Sequence, residues 1–112
     1  MKRRELVVGD PMSVAELRAL WTEKVFQGHV ERLAQGLGWR TYHTWNSMRS
    51  VKGFPDLVLV RGERLVFVEL KAERKKLTRE QEEWRGDLLA SGRCECYVWR
   101  PSNWDALGEV LS

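Results

Sequence analysis

Apolar residues recur at helical spacing between Ser13 and Leu37, at Leu17, Leu20, Trp21, Phe26, Val30, Leu33, Ala34 and Leu37. Ser13-Val14-Ala15-Glu16 has capping-box spacing ahead of them, and Gly36 and Gly38 stand where a helix would stop, so one long amphipathic helix is predicted over 13–37. Glu23, Gln27 and Glu31 fall at successive i, i+4 positions and form a polar stripe beside the apolar one. The period then shortens to two. Trp39-Arg40-Thr41-Tyr42-His43-Thr44-Trp45 alternates and is rich in aromatic and β-branched residues, which predicts a strand, followed by a polar loop over 46–53. Two further strands are predicted over 56–61 and 64–71, joined by a tight turn at Arg61-Gly62-Glu63. The runs Leu57-Val58-Leu59-Val60 and Leu65-Val66-Phe67-Val68 are apolar enough to predict burial on both faces. Thr78-Arg79-Glu80-Gln81 is a second capping box, opening a helix through Trp84, Leu88 and Leu89 to Gly92. Cys94 to Trp99 predicts a fourth strand, which Pro101 stops. Ser102 or Asn103 can cap a short closing helix through Trp104, Leu107 and Val110-Leu111. The predicted order is α-β-β-β-α-β with a terminal helix: an α/β chain with one central sheet flanked by helices.

A chain of 112 residues is long enough for one hydrophobic core and too short for two, so a single domain over 1–112 is expected, with 1–12 as a peripheral N-terminal segment. At 43% hydrophobic and 31% charged, the composition is that of a soluble protein; no apolar stretch approaches a membrane span and no signal-peptide core precedes Gly9-Asp10-Pro11. A cytosolic protein without membrane contact is expected. Cys94 and Cys96 are one residue apart in a strand and poorly placed to pair, so two reduced thiols are expected. A zinc site would have to recruit His29 and His43 from distant segments. The net charge of +3 is modest, but residues 49–79 carry nine Lys and Arg against four Asp and Glu, a balance that suits a phosphate-bearing substrate.

The candidate chemistry lies in the same stretch. Glu69 and Lys71 are two apart in a strand and share a face, about 7 Å from each other along the backbone. Asp56 opens the neighbouring antiparallel strand and comes near Glu69 if the hairpin closes at Gly62. Two carboxylates held close repel unless a proton or cation sits between them. A hard divalent ion such as Mg²⁺ or Mn²⁺ resolves the repulsion, with oxygen ligands from Asp56, Glu69, water and the main-chain carbonyl of Leu70. Lys71 would then orient or deprotonate the attacking water, or stabilise charge in the transition state. Phosphodiester hydrolysis fits these parts. A strand-end ion pair on the surface is the plainer alternative for Glu69-Leu70-Lys71 taken alone.

With these motifs in order, the chain resembles the PD-(D/E)xK nuclease superfamily, and within it the short, stand-alone type of VRR-NUC (virus-type replication-repair nuclease) domain. The segments that carry the resemblance are Thr22-Glu23-Lys24-Val25-Phe26-Gln27, Leu37-Gly38-Trp39, His43-Thr44-Trp45-Asn46-Ser47, Gly53-Phe54-Pro55-Asp56-Leu57-Val58, Val68-Glu69-Leu70-Lys71-Ala72-Glu73, Leu77-Thr78 with Gln81-Glu82-Glu83-Trp84, and Val98-Trp99-Arg100-Pro101. The resemblance implies a restriction-endonuclease-like core with a mixed sheet. It also implies metal binding by Asp56 and Glu69, a catalytic Lys71, a contribution from Glu23 on the first helix to the metal site, and a polar contribution from Gln81 on the second. Short members are similar to Holliday-junction resolvases, homodimers that cut opposed strands of a four-way DNA junction. That makes junction DNA and a second copy of the chain the implied partners.

Arg49, Lys52, Arg74, Lys75 and Lys76 are the expected phosphate contacts. Of the six tryptophans, Trp21, Trp39, Trp84, Trp99 and Trp104 are expected mostly in the core, and Trp45, beside the polar loop, is the candidate for lining a dimer interface or stacking on unpaired bases. Two readings of another kind stay open from the residues alone: a non-catalytic DNA-binding module with a nuclease-like fold, and a nuclease for flaps or other DNA structures.

Overall fold

The computed structural model describes residues 11–45 and 49–112; the proposed peripheral segment up to residue 10 and the loop positions 46–48 lie outside the described residues. The predicted 13–37 helix is in fact two. Helix α1 (Val14–Ala19) starts at Ser13, whose side chain accepts from Glu16 N, and helix α2 (Glu23–Gly36) starts afresh at Thr22, whose hydroxyl accepts from Val25 N. Thr22 is extended (φ −70°, ψ 163°), which resets the chain direction. The break follows from two competing demands: Thr22-Glu23 is a good N-cap and first turn, and Trp21 is drawn aside onto His29 and Trp104, at 4.2 and 5.5 Å between ring centres. Leu17 and Leu20, expected on the buried stripe, are consequently exposed, and α1 buries no residue at all. Helix α2 keeps the predicted pattern, burying Phe26, Val30 and Ala34 at intervals of four.

Strands β1 (Arg40–His43), β2 (Leu57–Arg61), β3 (Arg64–Leu70) and β4 (Glu95–Trp99) form one mixed sheet in the order β1-β2-β3-β4. β1 with β2 and β2 with β3 are antiparallel; β3 with β4 is parallel. A parallel neighbour needs a crossover, and helix α3 (Arg79–Ser91) supplies it. The β2–β3 hairpin ends at the pair Arg61↔Arg64 with Gly62-Glu63 between. Only the first of these two turn residues has positive φ, at +58°, the glycine position of a type II′ turn. A short 3₁₀ turn (Pro101–Asn103) leads into helix α4 (Trp104–Leu111).

The core lies between one face of the sheet and helices α2 and α4: Leu57, Leu59, Val66, Val68, Leu70 and Trp99 pack with Phe26, Val30, Ala34, Trp39, Leu107 and Leu111. The opposite face is only partly covered, because α3 packs against β4 rather than over β1 and β2. The expectation that β2 is buried on both faces is therefore corrected: Val58 is half-buried and Val60 exposed. Of the tryptophans, Trp39 and Trp99 are buried, Trp21, Trp84 and Trp104 half-buried, and Trp45 is 61% exposed. Both cysteines are free thiols.

Two of the nine cations counted in the basic stretch serve the fold. Arg61 lies 4.6 Å over the Trp39 ring and donates to the carbonyls of Leu37 and Leu111, each at 2.9 Å, and to Ser112. Arg64 forms a two-pronged pair with Glu95, at 2.8 Å on each prong, and donates to Val110 O. Both guanidinium groups thus fasten the C-terminal helix to the hairpin. No helix among the described residues is long and apolar enough to cross a membrane.

Candidate active site

The register Leu57↔Val68, continued by one rung, sets Asp56 opposite Glu69 on the face away from the main core. Several contacts hold Asp56 at the head of β2. Thr44 N donates to Asp56 O at 2.8 Å and the Thr44 hydroxyl donates to Pro55 O. Asp56 Oδ2 accepts from the Leu70 N–H at 2.7 Å, so a side chain takes the place of a strand carbonyl in the next rung. Just upstream, Gly53 has φ +87° and rests directly on helix α3: a Cβ there would lie 2.5 Å from the Glu80 carbonyl carbon. Phe54 packs edge-on against Trp84 of α3 and Phe67 of β3. The loop that delivers Asp56 is thus seated on the helix that follows the motif.

Glu69 and Lys71 are the only buried charged side chains among the described residues, 5% and 7% exposed. Gln81 closes the site from α3. Its amide oxygen accepts from Thr78 N at 2.8 Å, completing the capping box, while its amide nitrogen donates to Glu69 Oε1 at 2.9 Å. The helix cap and the carboxylate contact, alternative explanations of Gln81 in the sequence, are opposite ends of one side chain. Glu69 Oε2 is buried with no donor on it.

Removal from water, followed by the nearby Asp56 carboxyl, pushes Glu69 up to about 9. Asp56 is also raised, by burial first; the adjoining Glu69 carboxyl and the Leu70 N–H pull the other way. The positive charge of Lys71 lowers both and the negative charge of Glu23 raises both. Such a pair is unstable as two anions and satisfied by a shared proton or a cation. The orphaned Glu69 Oε2, the facing Asp56 carboxyl and the all-oxygen donor set fit a hard divalent ion.

Glu23 reaches the rim. Its Oε1 accepts from Ala72 N at 3.4 Å and lies 3.9 Å from Lys75 Nζ. Among the described residues no three His, Cys, Asp or Glu side chains converge closely enough to hold a metal. In this arrangement Glu23 is engaged by the Ala72 N–H and by Lys75 at the rim of the pair. The expected polar stripe is also divided, since Gln27 donates to Glu31 at 3.2 Å while Glu23 turns to the site.

Arg49, Lys52, Arg74, Lys75 and Lys76 are all exposed. Lys52 sits 3.7 Å from Glu80 on α3, whereas Arg49, Arg74 and Lys76 have no ion-pair partner among the described residues. The basic loop is braced from behind: Arg100 donates to Lys75 O at 2.8 Å, and Glu73 accepts from Ser102 N at 3.0 Å. Gly53, Thr44 and Arg100 were not singled out as site-building residues from the sequence. A glycine three residues ahead of the motif aspartate was the available signal for the first; nothing local marks the other two.

The family model of the VRR-NUC domain matches residues 19–102. A solved VRR-NUC domain superposes with a TM-score of 0.63 at 27% identity, over 78% of this chain and 94% of that one. A VRR-NUC domain protein gives 0.61 at 20%, over 81% and 85%. Archaeoglobus fulgidus Hjc, a Holliday junction resolvase from an archaeal hyperthermophile, gives 0.54 at 19%, over 67% and 63%. The last two show likeness of fold. No curated protein matches the chain. The mixed four-stranded sheet flanked by helices is the restriction-endonuclease-like arrangement expected of the sequence.

Proposed function

The chain belongs to the VRR-NUC domain family, and from that premise we propose that it is a Mg²⁺- or Mn²⁺-dependent, structure-selective DNA endonuclease that acts as a homodimer on four-way junctions. The observation that carries the reading is the facing Asp56–Glu69 pair, half-buried at Asp56 and buried at Glu69, with one glutamate oxygen left without a donor and the buried Lys71 beside both. Taking a glutamate and a lysine out of water costs several kcal/mol, from which a binding module gains nothing and metal-assisted chemistry gains its working groups.

A divalent ion held by Asp56, Glu69 and the Leu70 main-chain carbonyl would supply Lewis-acid activation of a phosphoryl oxygen and of a hydrolytic water. The protein's own groups do the rest. Gln81 fixes one oxygen of Glu69 and so aims the other. Leu70 N–H holds Asp56 in place before substrate arrives. Lys71, kept from bulk water, orients the attacking water or takes its proton, and its charge offsets that developing on the phosphorane. Glu23 steadies Lys75 and the Ala72 amide at the rim. Arg49, Lys52, Arg74, Lys75 and Lys76 hold flanking phosphates without reading sequence. Fold likeness to Hjc, a Holliday junction resolvase, suggests the four-way junction, and two opposed cuts in a two-fold substrate suggest two copies.

The test is a cleavage panel of four-way, three-way, flap and linear DNA with Mg²⁺, Mn²⁺ or Ca²⁺, using wild type, Asp56→Ala and Lys71→Ala. Symmetric cuts on the four-way junction, lost in both variants while DNA binding persists, are expected. Wild-type activity in either variant, or EDTA-insensitive binding with no cleavage of any substrate, would overturn the proposal.

A further inference from the structure

Edge strand β1 carries a row of rings that neither the core nor the proposed catalytic set uses. Tyr42 is 55% exposed and Trp45 61%, and His43 between them is exposed too. The rings lie in sequence, Tyr42 to His43 at 6.4 Å with planes 17° apart, and His43 to Trp45 at 5.8 Å. Trp39 and Trp99, by contrast, are almost fully buried, so among the described tryptophan, tyrosine and phenylalanine rings exposure on this scale belongs to Tyr42 and Trp45.

Position and charge say what covers it. Thr44, inside the row, donates its N–H to the Asp56 carbonyl at 2.8 Å, so the rings border the motif aspartate. The Trp45 carbonyl accepts from Ser50 at 3.0 Å, which fixes its backbone on the loop side. From residue 32 to residue 55 the chain holds no acid at all but four cations, Arg32, Arg40, Arg49 and Lys52. Arg40, Arg49 and Lys52 are exposed to either side of the rings. Flat aromatic faces on a stretch of chain whose own charges are all positive match bases strung on a phosphate backbone. They do not match the bases of an intact duplex, whose faces are already stacked.

We propose that Tyr42, His43 and Trp45 form a stacking platform for unpaired bases beside the cut phosphate, such as those opened where the arms of a four-way junction meet. This rests on the nuclease reading for the identity of the polyanion, while the platform itself binds without catalysis. It assigns the open edge of the sheet to nucleic acid, where another strand would otherwise be free to pair.

The experiment is anisotropy in EDTA, where binding is read without cleavage, using labelled oligo-dT and a hairpin duplex of equal phosphate number. Wild type, Tyr42→Ala, Trp45→Ala and the ring-conserving Trp45→Phe are compared. Trp45→Ala is expected to reduce the preference for oligo-dT over duplex about tenfold. Tyr42→Ala is expected to act in the same direction, and Trp45→Phe to restore most of the preference. Oligo-dT is also expected to quench tryptophan emission in wild type and not in Trp45→Phe. An unchanged preference, or equal weakening on both DNAs, refutes the platform. So does dissociation of a wild-type dimer by Trp45→Ala in sedimentation, which would give the row to a second copy. A wild type that stacks oligo-dT but cuts nothing with Mg²⁺ or Mn²⁺ overturns the nuclease reading and leaves the platform standing.

Discussion

Gln81 spans the cap of α3 and the carboxylate of Glu69, and its two roles are separable by substitution. Thr78→Ala removes the cap hydroxyl that accepts from Gln81 N but leaves the Gln81 amide on Glu69. A lost N-cap costs about 1 kcal/mol, which lowers the melting temperature of a domain this size by about 4 °C. Gln81→Glu keeps an oxygen for Thr78 N but replaces the donor 2.9 Å from Glu69 Oε1 with a third acid. Gln81→Ala loses both contacts. The Thr78 hydroxyl still accepts from the residue-81 main-chain N–H, so the main cost is about 1–3 kcal/mol for leaving the buried Glu69 acceptor without its donor. Thermal unfolding and single-turnover cleavage, measured on all three variants, divide the effects: Thr78→Ala costs stability and little rate, Gln81→Glu costs at least tenfold in rate, and Gln81→Ala costs both. Wild-type cleavage by Gln81→Glu, or a rate loss in Thr78→Ala equal to that of Gln81→Ala, would refute the division.

Two further outcomes follow from the same site. Glu69 holds its proton to about 9 in the folded protein against an ordinary value of 4.5. Between those values the folded state binds more protons than the unfolded, so metal-free stability is greatest at the acid end of the window and falls as pH rises toward 9. Urea midpoints in EDTA across that range measure the slope, and Glu69→Gln is expected to flatten it; a midpoint that rises with pH would contradict the buried pair. Gly53→Ala meets both a left-handed backbone, worth about 1–2 kcal/mol, and the Glu80 main chain at 2.5 Å, worth about 1–3 kcal/mol as overpacking. Gly62→Ala, at positive φ with nothing within 4 Å, is expected to lose only the first part in the same melting assay, and equal losses would discount the Glu80 contact.

What was legible in the sequence is what local rules decide. The hairpin register follows from two apolar runs around a glycine turn, and it alone brings Asp56 opposite Glu69. The start of α3 follows from Thr78 and Gln81. The break before α2 did not show because apolar spacing runs on through Leu20 and Trp21, and the contact that diverts Trp21 is with Trp104, at the far end of the chain. Arg61 and Arg64 enter the sequence reading only through the charge balance of 49–79, because nothing nearby reveals that they bind carbonyls of α4 and, for Arg64, Glu95. Gln81 was half-hidden, since a satisfied capping box explains the residue completely until Glu69 is seen at its other end. Gly53 looked like a loop glycine, and only the Glu80 backbone against it makes the position unforgiving.

The rung that Asp56 Oδ2 makes with Leu70 N has a consequence for binding. Because the carboxylate is already part of the sheet, it cannot swing to meet a ligand without unzipping the end of the central strand. The ligand therefore encounters an acid held at nearly fixed position, with little rearrangement required on arrival. That rigidity also sets a limit, since a reacting phosphate must fit the acid where the sheet has left it, and discrimination between DNA shapes passes to how each shape presents its backbone at that one point.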